Sequence, residues 1–144
     1  MYATKHNRGL VLDEKALCAF SRNDYEPDVV FFSQARAQTF TSGQVEFPVP
    51  DLVVEVLSPS TQANDRGVKF DDYERSGVRE YWIVDPTAKA KEVYDARDGR
   101  FELRIKGTSG FLESVVLGGF QVELAAIFDP VKAQAEAVRL TQAA

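Results

Sequence analysis

Pro50-Asp51-Leu52-Val53-Val54-Glu55-Val56-Leu57-Ser58 reads as a buried β-strand that carries a carboxylate in its middle. Three valines and two leucines crowd into this run, with Pro50 before it and Ser58-Pro59-Ser60 after it, the signature of a short strand between breakers. Side chains alternate along a strand, so Asp51, Val53, Glu55 and Leu57 share one face and Leu52, Val54 and Val56 the other. The second face is wholly apolar. An ionised Glu taken out of water without partners costs several kcal/mol, so Glu55 requires a cation, a hydrogen-bond network or a displaced pKa.

A partner must come from elsewhere in the chain, because Asp51 lies roughly 13 Å along the strand at about 3.3 Å per residue. Tyr25-Glu26-Pro27-Asp28-Val29-Val30-Phe31-Phe32-Ser33 has the same form, Pro-Asp followed by an apolar β-rich run. If the two runs pair antiparallel across the connection from Ser33 to Pro50, Asp28 falls near Glu55 and Leu57. Asp51 then sits at the far end, beside Phe32 or Ser33.

Pro27-Asp28, followed after a loop by Glu55-Val56-Leu57, resembles the PD-(D/E)XK nuclease motif. The longer strings PDLVVEVLSPST (Pro50 to Thr61) and GVREYWIVDP (Gly77 to Pro86) resemble the Uma-two-type restriction endonuclease family, and the likeness covers about Gly9 to Tyr94. The resemblance implies a metal-dependent phosphodiesterase acting on nucleic acid, DNA by expectation, with Asp28 and Glu55 holding Mg²⁺ or, in its place, Mn²⁺. Hard Mg²⁺ is typically held by one or two carboxylates and several waters, with substrate phosphate completing its shell. The general motif places Lys two residues after the Glu, where this chain has Leu57. By the same resemblance the lysine has moved to the following helix, as Lys69, where it would stabilise developing negative charge. Asp51 and Ser58 lie in the first shared string and Asp65 in the stretch that the likeness covers, and all three are candidate supporting residues.

Each of these residues also has a structural reading. Glu55 could form a salt bridge inside a half-buried sheet, and Asp28 could be a turn residue after Pro27. Lys69 could pair with Asp65 at i,i+4 on one helix. Asp51 suits the opening of its strand, and Ser58 suits a strand end whose hydroxyl caps a turn. His6, a lone imidazole near a terminus, reads as solvated. Cys18 has no histidine in its local sequence, which gives nucleophilic catalysis little support.

The remaining chain reads as scaffold. A helix opens near Ser60 or Thr61 with a capping hydroxyl and runs to the glycine stop at Gly77. Tyr81 to Asp85 is a third core strand, and Lys91 to Ala96 with Phe101 to Ile105 forms a hairpin around Arg97-Asp98-Gly99-Arg100. Val115-Val116-Leu117 reads as a further strand with Phe120 to Leu124 beyond it, and Val131 to Ala144 as a terminal helix opened by Pro130. This order predicts an α+β domain over residues 1–144, a mixed central sheet flanked by helices, with a restriction-endonuclease-like core.

Composition suits one core: 144 residues, 44% hydrophobic and 27% charged. No apolar run is long enough for a membrane span and no leader pattern opens the chain, so the expectation is a cytoplasmic protein; the single cysteine agrees. The net charge of −5 argues against the basic face usual in duplex-DNA-binding domains, though net charge is only a sum, which a bound cation and a local cluster such as Lys5, Arg8, Arg66, Lys69, Arg75 and Arg79 could offset. The family resemblance also implies an acidic segment ahead of Gly9-Leu10-Val11-Leu12, and this chain starts almost at that match. The expectation is a truncated relative with an open sheet edge or one covered by a second copy, a homodimer. Two functions of different class follow: an Mg²⁺-dependent endonuclease, or a degenerate, non-catalytic member serving as a binding or assembly module.

Overall fold

The computed structural model describes residues 9–13 and 16–142. Its centre is a six-stranded mixed sheet in the order β1-β4-β6-β7-β8-β9, built from β1 (Gly9–Asp13), β4 (Val29–Ser33), β6 (Leu52–Val56), β7 (Glu80–Asp85), β8 (Ala90–Arg97) and β9 (Arg100–Gly107). Within this sheet only β6 and β7 run parallel, as expected where a helical crossover joins them. That crossover is α2 (Gln62–Arg66) with α3 (Val68–Ser76). β2 (Leu17–Ala19), β3 (Asp24–Tyr25) and β5 (Glu46–Phe47) make a small second sheet, with α1 (Gln34–Ala37) between β4 and β5. β10 (Phe111–Glu113) and β11 (Gln121–Glu123) pair separately before α4 (Leu124–Phe128) and α5 (Pro130–Gln142).

β6 is covered on both faces, which is why its sequence is nearly continuous in apolar residues. Val53 and Leu57 pack with Val30, Phe32, Tyr73, Tyr81 and Ile83 in a cluster under α3. Leu52 packs with Phe31, Trp82, Val93 and Leu124 on the opposite side. Glu55 belongs to the α3 face, where it is 2% exposed. The expected antiparallel pairing is present, with Val29 opposite Val54, Val30 opposite Val53 and Phe31 opposite Leu52. Extending that register by one residue sets Asp28 opposite Glu55.

Two sequence expectations are corrected. The helix expected from Ser60 to Gly77 is broken at Gly67, whose backbone (φ −110°, ψ −103°) is not helical. A Cβ there would stand 2.7 Å from the Ala63 carbonyl oxygen, closer than real side chains approach. Thr61 occupies the capping position, but its Oγ1 accepts from Ser58 N at 3.1 Å and no helix N–H reaches it. The glycine stop is observed at Gly77, with φ 92°. The second correction concerns Val115-Val116-Leu117, which forms a turn. The buried Glu80 carboxylate accepts the N–H of Val115 (2.9 Å) and of Val116 (3.3 Å), and Ser114 Oγ accepts that of Leu117 (2.8 Å). Those donors are thereby withdrawn from any strand ladder. The hairpin around Asp98-Gly99 is observed, joining β8 to β9, and the terminal helix is described from Pro130 to Gln142.

A buried carboxylate on α3 fastens the small sheet to this crossover. Asp72 accepts from Arg22 Nε (2.6 Å), Asn23 Nδ2 (2.9 Å) and Tyr25 OH (2.5 Å). Burial alone would raise its pKa, but these donors outweigh it and the net shift is downward from 3.8. Because the folded carboxyl holds its proton less tightly than the unfolded one, its stabilisation is complete above pH 3.8 and is lost as pH falls through the lower folded value. Asp72→Asn is therefore expected to lose about 2–4 kcal/mol at pH 7. The deficit should shrink in strong acid, as read by urea unfolding at the two pH values. Gly67→Ala should cost about 1–3 kcal/mol through its clash with Ala63; unchanged thermal unfolding would show that the break needs no glycine.

Candidate functional site

At the end of the paired strands the backbone ladder is continued by side chains. Asp28 N–H donates to Glu55 Oε1 at 2.9 Å, and Val56 N–H donates to Asp28 Oδ2 at 2.7 Å. Each carboxylate thus clamps the other residue's strand. The remaining Glu55 oxygen, Oε2, accepts from Lys69 Nζ at 2.8 Å and from Tyr73 OH at 2.9 Å. Lys69 Nζ also lies 3.3 Å from Asp65 Oδ1 and 5.6 Å from the centroid of the Tyr25 ring. Asp28 just before β4, Glu55 of β6, Lys69 of α3 and Asp65 of α2 are therefore linked in one chain of contacts.

The electrostatics follow from burial. Loss of water lifts the Glu55 carboxyl above its usual value, against the lowering by the Lys69 hydrogen bond and the Asp28 N–H. Burial pulls Lys69 down, but its hydrogen bond and attraction to Glu55, with Asp65 adding, carry it above 10.5. Lys69 is a cation at neutral pH. The Tyr73 hydroxyl is pushed upward, by burial and then by the Glu55 charge, so it keeps the proton that it donates to Glu55 Oε2.

The other sequence candidates lie outside this group. Asp51 is at the opposite end of β6, where Oδ2 accepts from Ser33 N at 2.7 Å and Oδ1 faces Arg36 at 3.3 Å and Arg79 at 4.0 Å. Ser58 stays within its own turn, with Oγ 2.9 Å from Thr61 Oγ1 and 3.1 Å from Ser60 Oγ. Arg66 reaches across to Glu92 at 2.5 Å, Arg79 is with Asp51, and Arg75 is exposed on α3, so these basic residues are spread rather than gathered. Lys5, His6 and Arg8 lie outside the described residues. Cys18 is buried, and burial pushes its thiol up to about 12, the opposite of an activated nucleophile.

Tyr73 is the residue that sequence reasoning missed. Its signal was available: it follows Lys69 by four positions, so both project from one side of α3. An apolar cavity of about 620 Å³ lined by Val54, Val56, Trp82, Ile127 and Leu140 lies on the other face of the sheet. It carries no ionisable side chain and plays no part in this site.

The donor set suits a hard divalent cation, since Asp28 and Glu55 offer oxygens on adjacent strands. Glu55 Oε1 has one hydrogen bond and so keeps lone-pair capacity. Among the described residues no group of three or more His, Cys, Asp or Glu gathers around a common point. An ion held there would rest on two carboxylates and on water, a mode that Mg²⁺ favours. No helix among the described residues is long and apolar enough to cross a membrane.

Comparisons with known proteins agree with this architecture. A crystal structure from Anabaena variabilis, described as a putative nuclease belonging to DUF820, superposes with a TM-score of 0.71 at 18% identity. The match covers 88% of this chain and 72% of that one, and it establishes a shared fold. A stretch of 50 residues is 46% identical to the uncharacterized protein slr1290 of Synechocystis sp., 34% of this chain but only 26% of that protein. The match thus spans about a quarter of that curated relative's length. The family model Uma2, described as "Putative restriction endonuclease", matches residues 2–126. A mixed sheet with paired acidic residues at adjoining strand positions, a lysine from the crossover and a family match over most of the sequence lead to one conclusion: this chain belongs to the Uma2 family.

Proposed function

We propose that the protein is an Mg²⁺-dependent nuclease that hydrolyses phosphodiester bonds of nucleic acid, DNA in the first instance. Asp28 and Glu55 would hold the ion, and Lys69 would act beside it. The observation that carries this reading is that Glu55 accepts from the Asp28 N–H on one oxygen and from Lys69 Nζ on the other, which draws together three residues distant in sequence. A cytoplasmic location, Mn²⁺ as a substitute ion and pairing of two copies to cut both strands belong to the same proposal.

A divalent ion so held supplies a polarised phosphoryl oxygen and a water of lowered pKa. The chain's own residues supply positioning. The reciprocal clamp through Asp28 N–H and Val56 N–H fixes both carboxylates relative to the sheet, so little reorganisation accompanies binding. Lys69 remains protonated and suits charge stabilisation at the phosphate rather than proton abstraction. Tyr73 OH holds Glu55 Oε2 from within the core and limits rotation of that carboxylate.

The same clamp favours a second reading, in which the two carboxylates fasten β4 to β6 and the domain is a non-catalytic binding or assembly module. Plasmid nicking with Mg²⁺, set against chelator controls, separates the two. The nuclease reading expects metal-dependent nicking that falls on the order of 100-fold or more in Asp28→Ala, Glu55→Gln and Lys69→Ala, while circular dichroism shows the variants folded. Wild-type protein that cuts neither DNA nor RNA with Mg²⁺ or Mn²⁺ would leave the binding-module reading in place.

A further inference from the structure

Asp65 Oδ1 is anomalous. The residue is 1% exposed, and this oxygen is the one fully buried side-chain nitrogen or oxygen among the described residues that makes no hydrogen bond. Such atoms are rare in folded proteins and call for a use. The cation nearest to it is Lys69 Nζ, 3.3 Å away but directed at Glu55 Oε2, 2.8 Å from it. One ammonium therefore lies between two buried carboxylates, hydrogen-bonded to Glu55 Oε2 and paired with Asp65 Oδ1 only at the longer distance.

We propose that Lys69 is a resident counter-ion that occupies Glu55 until a divalent cation binds there, and that Asp65 Oδ1 is the acceptor held in reserve for the displaced ammonium. The inference rests on the metal-binding reading above and adds to it a competition between two cations for one carboxylate. Three features support the exchange. The lysine stem is long and flexible, so its head can change partners while α3 stays in place. Tyr73 OH remains on Glu55 Oε2 when the ammonium leaves, so the carboxylate keeps its orientation. Tyr81 OH donates to the Asp65 carbonyl at 2.8 Å and anchors the receiving residue against β7.

Competition and reserve make opposite predictions for two neighbouring substitutions. Removing the ammonium in Lys69→Met takes a positive charge away from the ion's position and should tighten Mn²⁺ binding about tenfold or more. Asp65→Asn leaves the displaced ammonium without a charged acceptor and should weaken Mn²⁺ binding about tenfold. In the Lys69→Met background the same Asp65→Asn change should have no effect, because no ammonium remains to be received. An Asp65 with a purely structural role would weaken binding equally in both backgrounds.

The measurement is calorimetric titration of the full chain with Mn²⁺, without nucleic acid, on wild type, the two single variants and the double variant. Lys69→Met leaves Glu55 without its cation and could fail to fold. The wild-type lysine side-chain NMR signals are therefore followed during Mg²⁺ titration, with Lys69 assigned by its loss in Lys69→Arg. The proposal expects the Lys69 signal to move with saturation in wild type and to move less in Asp65→Asn. Binding by wild type with a Lys69 signal that does not move, with no tightening in Lys69→Met, or with an Asp65→Asn effect that persists without the lysine overturns the exchange while leaving the metal site standing. Absence of saturable binding of either ion in every variant overturns both.

Discussion

A carboxylate buried in a sheet must be solvated by the protein, and that requirement organises this molecule. Glu55 is met by a backbone N–H from the neighbouring strand, a lysine from the crossover helix and a tyrosine hydroxyl from the core. Each donor comes from a different element. The carboxylate therefore reports whether β4, β6 and α3 are correctly assembled, since loss of any one leaves a buried charge short of partners. Asp28 repeats the arrangement in miniature, exchanging its own N–H for that of Val56.

The same device appears twice more at positions without an evident chemical role. Asp72 gathers Arg22, Asn23 and Tyr25 and so binds the small sheet to α3. Glu80 accepts Trp82 Nε1 and two backbone N–H groups, shaping the turn between β10 and β11. These two carboxylates are saturated by donors and explain structure. The site around Glu55 differs in having a neighbouring carboxylate, Asp65, whose buried Oδ1 makes no hydrogen bond and is met only by the Lys69 ammonium at 3.3 Å. A buried acid is thus ordinary in this fold, and Asp65 stands apart among the described residues by the one buried side-chain oxygen without a hydrogen bond.

Much of this was legible along the chain. Alternation around Glu55 gave the two faces of β6, and the repeated Pro-Asp form gave its partner strand. Antiparallel pairing then chose between Asp28 and Asp51 by reach alone, and the structure places Asp51 at the far end of β6, against Ser33. Two features were not legible because the deciding partner is remote. Val115 to Leu117 has strand-forming residues, but Glu80, some thirty-five positions earlier, takes its N–H groups. The break at Gly67 depends on contact with the Ala63 carbonyl rather than on any helix propensity of the segment.

The sequence by itself determined where the main strands β4, β6, β7, β8 and β9 run, which carboxylate cannot be solvated by water, and which family the chain resembles. Those follow from periodicity and local chemistry, which act over a few residues. Only the tertiary structure decided how that carboxylate is solvated: by the Asp28 N–H, Lys69 and the Tyr73 hydroxyl, with Asp65 paired to the same ammonium at 3.3 Å. Hydrogen bonds and ion pairs act over about 3 Å, and such distances between residues far apart in the chain exist only after the sheet and its crossover have packed.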